Sequence, residues 1–565
     1  MRRLPPRCVV DSVPGVHTDR WLDVLFGMGD DDFPFWLMSV RVNILLFTIC
    51  AVVALLWHLR TARARRVEPW GIALALALTA LAGALRFFVA SANLVDFGGI
   101  PYSRLLLGYR GHFATAQFYS LFYELSARDI EHAILFNRVA GTLTIPLVYV
   151  LCRLLDPNRT WFAAIAALLF AVSPLHISFS ASDGLAIFSV FLAAASYTLL
   201  AAAEEDSADR RVRFLHYLGG LSGLVLLTQV RYENVLFLLP AAVFAVYRGR
   251  RVDWRALTPA AVVAGVLLAV DLQQGAAAGS SFQNPVRLAA AVEMVTEHVI
   301  LNPFVGAALL AVGTAGVLLG GGIGRGLGAL AVWAAALSLP LLAESGHGAA
   351  RVFASWLILI IPFAAYGLTS ALGAGSLSLR MLGAFVLFCL TVQPLLFGEV
   401  FAPVHLEMQE HAFFKDAVLA LPDGVDTIVV PDDELLRRDS KSTVELHNKY
   451  SMTLAGMGDP ATNIRLVRLT DYLEGGASLC RPGACAFFFG LPCTRQRVYP
   501  FTRAQCREMR RIHHWTPVLE RVVRGAPFVS CSVYVGHLRE KLCVPETGLR
   551  MFGLYLMTDS TSAGE

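Results

Sequence analysis

The residues of this chain best suited to chemistry gather in one polar stretch, RFFVASANLVDFGGIPYSRLLLGYRGHFATAQFYSLFYELSARDIEHAILFNRVAG, which follows an apolar run. Asp96 stands near its start, with Tyr102, Arg104 and His112 after it and Arg138 near its end. A segment of about 40 residues between two membrane spans is longer than a simple connection. One that carries carboxylates, aromatics and basic residues together has the composition of a site. A carboxylate within hydrogen-bond reach of a hydroxyl accepts its proton, which makes Asp96 a candidate general base at the outer membrane surface. Polar residues recur at other breaks in the apolar sequence: Asp183 in SFSASDG, Arg231 and Glu233 in TQVRYEN, His347 and Arg351 in ESGHGAARV. Guanidinium groups hold anions through charge-assisted hydrogen bonds, so Arg104, Arg231 and Arg351 are candidate anion-binding groups. Tyr102, His112, Asp183, Glu233 and His347 are candidates for a supporting or acceptor-binding shell. Asp183, followed by Gly184 and an apolar run, also reads as a helix N-cap, and Arg138 reads as a tie between the polar stretch and the helices.

The elements that must position these residues are membrane spans. The 565-residue chain is 56% hydrophobic and 16% charged, with a mean hydropathy of +0.57, a composition that belongs in lipid. Its net charge of +4 is dispersed in short arginine clusters rather than gathered on one face, which gives no case for nucleic acid. Apolar runs fall at 42–58, 70–90, 133–155, 160–178, 183–203, 214–228, 231–247, 256–272, 303–320, 328–343, 351–371 and 380–397, about twelve spans. No apolar signal-peptide core follows the basic N-terminus within 30 residues, so the first span is expected to direct insertion. Arginines crowd alternate connections: 60–66, 153 with 159, 210–213, 248–255, 325 and 380. By the positive-inside rule those connections are cytoplasmic, and both termini and the Asp96 stretch are extracytoplasmic. GAAAGSSFQNPVRLAAAVEMVTEHVILNPF is an external, partly helical segment expected to lie along the interface.

Hydropathy falls after about residue 398, where a soluble α/β domain is expected. HLEMQEHAFFKDAVLALPDG has the pattern of an amphipathic helix, and DTIVVPDDE, ACAFFFG, FVSCSVYVG and MFGLYLMT of strands. His405, Glu407, Glu410 and His411 lack metal-site spacing and are expected on a solvated helix face. Six cysteines (480, 485, 493, 506, 531 and 543) cluster in this tail, as disulfides would in an oxidising compartment. No metal site and no cofactor is predicted. The domains expected are thus 1–69 with one extra span, 70–397 with its large external loop 91–132, and 398–565.

Asp96, GHF at 111–113, NRVAGTLTIPLVYVLCRLL, ALLFAVSPLHISFSASDGLAIFSVFLAAASYTLL and ESGHGAARVFASWLILIIPFAAYGL together resemble the GT-C superfamily of polytopic glycosyltransferases. The likeness is to its bacterial branch related to protein mannosyltransferases and lipid A or core sugar transferases, and it covers roughly 70–400. It implies an inverting transfer from a polyprenyl-phosphate sugar to a glycan, lipid or protein acceptor at the outer face of the cytoplasmic membrane. The family's catalytic acid falls on Asp96. Many relatives carry an acidic pair here, whereas Asp96 is followed by Phe97 and Gly98, so a second carboxylate would have to come from Glu124 or Asp129. Arg351 matches a basic family position at the donor phosphate. Two other classes compete: a secondary transporter or lipid-linked flippase, and a non-catalytic assembly factor whose bundle anchors the C-terminal domain.

Overall fold

The computed structural model describes residues 35–62, 69–90, 129–204, 209–230, 252–276, 349–397, 406–431, 463–475, 480–494 apart from 482, 500–512, 514–524 and 549–558, with isolated positions between them. The first part is a helical bundle: α1 (Phe35–Ala62), α2 (Pro69–Ala84) running into a π-helical turn (Leu85–Val89), α3 (Ile130–Leu155), α4 (Thr160–Val172), α5 (Pro174–Ser180), α6 (Ala186–Ala202), α7 (Arg210–Val230), α8 (Trp254–Ala276), α9 (Ala349–Leu372) and α10 (Leu377–Phe397). Among the described residues, four helices are long and apolar enough to cross a membrane: Val40–Trp57, Pro69–Val89, Ile130–Leu155 and Ala354–Leu372. The expected spans at 303–320 and, apart from Gly328, 328–343, most of 231–247 and the interfacial segment after residue 276 lie outside the described residues.

One expected span is divided. The run 160–178 breaks at Ser173 because Pro174 disfavours helical geometry in the residue before it and opens the next helix at its first position. Elsewhere small residues set the packing. A Cβ on Gly219 would meet Cys50, and one on Gly223 would meet Ser196 and Phe47, so α7 lies directly against α1 and α6. In lipid, where apolar burial no longer drives association, close backbone approach and interhelical hydrogen bonds take over. Asn43 Nδ2 donates to Gln229 Oε1 at 3.1 Å, and Ser222 Oγ donates to Asn43 Oδ1.

The bundle has two distinct ends. At one, Arg153 donates to Thr160, Arg159 to Ser370, and Arg210 and Arg213 approach Asp253. Thr198, near the close of α6, donates to Leu147 O, near the close of α3, so the described arginine-bearing connections share an end. At the other end Lys415 of the C-terminal part approaches Asp129 (3.8 Å) and Glu131 (3.4 Å) at the start of α3.

The C-terminal part is an α/β unit: α11 (Leu406–Leu419), β1 (Thr427–Val430), β2 (Arg465–Arg468), α12 (Leu469–Gly475), β3 (Cys485–Phe489), α13 (Leu491–Thr494), α14 (Pro500–Ile512), β4 (His514–Arg524) and β5 (Leu549–Thr558). The five strands stand in the order β2-β1-β3-β5-β4, with β2, β1 and β3 parallel and β5 and β4 antiparallel. Alternation sends Ile428, Val430, Ala486, Phe488 and Leu554 to the face covered by α11, and Val429, Phe487, Tyr555 and Met557 to the face covered by α12 and α14. Disulfides join Cys480 to Cys485 and Cys493 to Cys506; Cys531, Cys543 and the expected strand FVSCSVYVG lie outside the described residues.

The expected solvated face of α11 is corrected. Glu410 and His411 are buried; Glu410 Oε1 accepts from Leu491 N (2.7 Å) and Tyr450 Oη (2.9 Å), and His411 Nδ1 meets Thr453 Oγ1 at 3.0 Å. The turn after β3 folds over this side of the helix, and Gly490 is needed there because a Cβ would strike Glu410 and Phe488. On the opposite sheet face Arg510 lies over Phe489 and donates to Tyr555, which donates to Glu520 at 2.7 Å. Burial, reinforced by that bond to Glu520, pushes the Tyr555 phenol up to about 12.

Candidate active site

The polar core of the bundle is built where α2, α3, α4 and α5 meet. Arg86, in the π-helical turn, is completely buried. Its Nη1 donates to Ala82 O (2.9 Å) and Ala171 O (3.2 Å), its Nη2 to Phe170 O (3.4 Å) and His176 Nδ1 (2.5 Å), and its Nε to Ser180 Oγ (3.2 Å). The break at Pro174 frees the last carbonyls of α4, and in lipid each would be costly without a donor. Arg86 supplies those donors and grips the next helix through His176 and Ser180. Because a guanidinium only donates, His176 Nδ1 accepts, which places a neutral ring's hydrogen on Nε2. Gly141 of α3 makes room, since a Cβ there would land on the Ser180 side chain.

This clamp fixes the turn that follows α5. Ser182 Oγ donates to Phe179 O (2.9 Å) and accepts from Gly184 N (3.2 Å). Asn137 of α3, about two helical turns in from Ile130, donates its Nδ2 to Ser182 O (2.6 Å) and Gly184 O (3.0 Å). Between those two carbonyls sits Asp183, fully buried. The expected capping role is corrected: α6 starts at Ala186, its N-cap is Leu185, and no side chain caps it. A carboxyl group enclosed in a membrane bundle and held by backbone-anchored neighbours is a functional candidate by default.

The long polar stretch returns onto this region through Phe118 and Phe122, whose rings pack on Phe188 at 6.3 and 5.1 Å. Arg138 ties the other flank, donating to Ala90 O at 3.3 Å, the role expected of it. Asp129 caps α3 by accepting from Glu131 N at 2.9 Å and approaches His132 and Lys415. Arg351 lies in the first turn of α9, whose far end carries Ser370 beside Arg159. Asp96, Tyr102, Arg104, His112, Glu124, Arg231, Glu233 and His347 lie outside the described residues. The structure therefore places Asp183 among the expected residues and adds Arg86, Asn137, His176 and Ser180, which sequence reading passed over. Arginine inside the run 70–90 was the available signal for the first of them. Among the described residues no group of three or more His, Cys, Asp or Glu is placed to hold a metal ion.

Residues 113–272 match the family model described as dolichyl-phosphate-mannose-protein mannosyltransferase. A search of curated proteins finds no match. Among solved structures, the chain is similar to the archaeal oligosaccharyltransferase AglB from Archaeoglobus fulgidus in complex with an inhibitory peptide and a dolichol-phosphate (11% identity, TM-score 0.44, 64% of this chain and 62% of that one). It is also similar to ArnT from Cupriavidus metallidurans bound to undecaprenyl phosphate (12%, 0.45, 75% and 93%). A third is the arabinofuranosyltransferase AftD from Mycobacteria (14%, 0.46, 88% and 40%). The chain thus spans about 62% of the length of AglB and about 40% of that of AftD. The resemblance carried by the sequence, to polytopic glycosyltransferases of the GT-C class, is borne out by the family match, which takes in α3 to α7 and most of α8.

Proposed function

We propose that this protein is an inverting GT-C-type glycosyltransferase that moves a sugar from a polyprenyl-phosphate donor to a glycan, lipid or protein acceptor. The reaction runs at the bundle end that meets the C-terminal domain, which faces away from the cytoplasm of the cell's inner membrane. The observation that carries the reading is the family match over 113–272, the segment that contains the Asn137–Asp183 turn.

Asp96 is the general base in this reading. It takes the proton of the acceptor hydroxyl as that oxygen bonds to the anomeric carbon, and the bond from that carbon to the phosphate oxygen breaks on the opposite side. The departing polyprenyl phosphate gains charge, which Arg351, with Arg231 and Arg104, stabilises through charge-assisted hydrogen bonds. Inversion requires the carboxylate and the guanidinium groups on opposite sides of the anomeric carbon. Asp183, Tyr102, His112, Glu233 and His347 form the supporting shell, with the Arg86 clamp holding the Asp183 turn in register. The division into 1–69, 70–397 and an extracytoplasmic 398–565 belongs to the same proposal, as does the full set of about twelve spans; the C-terminal domain borders the site and selects or covers the acceptor.

The test is transfer by purified full-length protein in nanodiscs supplied with a panel of radiolabelled polyprenyl-phosphate sugars and extracted envelope acceptors. Label recovered on an acceptor supports the reading. Translocation of the donor across sealed vesicles without any transfer would instead support a flippase and remove this proposal.

A further inference from the structure

At the arginine end of the bundle, away from the proposed reaction, α2, α4, α9 and α10 enclose a groove in two joined parts. The inner part is a cavity of about 520 Å³ walled by Leu74, Leu78, Ile165, Leu168, Leu372 and Leu387. The outer part, about 750 Å³, is bordered by Trp70, Asn158, Arg159, Thr160 and Ser370. The two share Leu74, Trp161, Thr369 and Gly373, so an apolar slot opens directly into a polar mouth. Each volume falls within the range of about 300–1,000 Å³ common to ligand sites.

The mouth is cationic. Arg159 donates to Ser370 Oγ (3.3 Å), approaches Asp156 (3.4 Å) and lies over the Tyr366 ring at 4.9 Å. Those contacts leave donors to spare on a group that carries five N–H. Arg153 holds Thr160 (2.7 Å) and Arg380 holds Ala374 O (2.5 Å), both of them mouth residues. Among the described residues, three arginines thus bond to residues of this mouth, and one aspartate, Asp156, pairs with one of them. Trp70 and Trp161 flank the opening, each 64% exposed, the position aromatic side chains take at headgroup level. The neighbouring outer surface of α10 exposes Met381, Leu382, Phe385 and Phe388, so hydrocarbon lies beside the slot and a chain can enter it sideways.

We propose that this groove is a binding site for one anionic phospholipid of the leaflet on the arginine side, with an acyl chain in the leucine slot and its phosphate at Arg159. The inference is independent of the transferase reading and would stand if that reading failed. The Asp156 pairing orients Arg159 without neutralising the corner, because Arg153 and Arg380 remain on its flanks. Anionic lipid is favoured over zwitterionic lipid by this excess positive charge.

The test uses full-length protein in phosphatidylcholine nanodiscs doped with brominated phosphatidylglycerol or brominated phosphatidylcholine at equal mole fraction. The fluorescence lost to bromine at Trp161 is read as the difference between wild type and Trp161→Phe. Brominated phosphatidylglycerol should quench this component with about fivefold higher apparent affinity, the factor that one basic residue near a membrane surface supplies. Arg159→Gln should abolish the preference, and Ala164→Phe, which fills the slot, should weaken quenching by either lipid. Equal quenching of the wild type by both lipids would overturn the proposal without reference to any variant. So would a preference unchanged in folded Arg159→Gln, relief of quenching by inorganic phosphate alone, or displacement of the lipid by polyprenyl phosphate at lower concentration.

Discussion

The membrane bundle and the C-terminal domain bury polar groups by the same rule but bring their elements together in different ways. Arg86 in the bundle and Glu410 in the domain are both fully enclosed, and each is met by backbone partners: Phe170 O and Ala171 O for the arginine, Leu491 N for the glutamate. Around them the packing diverges. The domain is held by large rings, with Phe488 at 4.8 Å from Phe414, 5.3 Å from Tyr450 and 5.9 Å from Phe413, and by two disulfides. The bundle stacks rings as well, Phe237 on Trp356 at 4.5 Å, but it also brings helices together over Gly219, Gly220 and Gly223 and links them by hydrogen bonds such as Asn234 Nδ2 to Ser189 Oγ at 3.0 Å. Water rewards the burial of large apolar surface, whereas lipid rewards contact between backbones and the pairing of polar groups.

Two substitutions probe this contrast at its strongest. Phe488→Ala should cost the domain about 3–5 kcal/mol and leave the bundle's unfolding unchanged. Arg86→Leu should do the reverse, at about 1–3 kcal/mol for each carbonyl left without a donor, with Arg86→Lys recovering part of the loss. Thermal unfolding followed by limited proteolysis separates the two transitions, and a joint shift in both would break the comparison. Reduction comes next. Opening Cys493–Cys506, which closes a sequence separation of 13, should cost the domain about 3 kcal/mol, while the bundle, whose Cys50 and Cys152 are free thiols, should melt as before. The smallest effect is expected at the junction. Lys415→Ala removes partly exposed ion contacts with Asp129 and Glu131 and should change stability by at most about 1 kcal/mol, detectable as faster proteolysis between the two parts and as a smaller dependence of that rate on salt.

What could be read from sequence followed from the same contrast. β1, β3 and β5 were legible because central strands buried on both faces are continuous apolar runs. β2 (RLVR) and β4 (HWTPVLERVVR) were not, because among the described strands they stand outermost in the sheet, where polar residues and Pro517 beside a register shift are tolerated. The bundle helices were legible from hydropathy, yet hydropathy ran through the break at Pro174 and masked Arg86 inside an apolar run. Glu410 reads as solvated because its burial comes from Gly490 and Tyr450, far away in the chain. Of the expected residues, Asp183 is an enclosed carboxyl group rather than a cap, Asp129 is the cap of α3, and Arg138 is the tie that was expected. Asp96 rests on sequence and resemblance.

The central claim is that a carboxylate in the 91–132 stretch takes the acceptor proton while guanidinium groups hold the leaving phosphate. Single-turnover transfer from a radiolabelled polyprenyl-phosphate sugar, comparing wild type with Asp96→Asn, tests it most directly. The account predicts a rate lower by about 10²- to 10⁴-fold with donor binding intact. Wild-type turnover by a folded Asp96→Asn protein would contradict it.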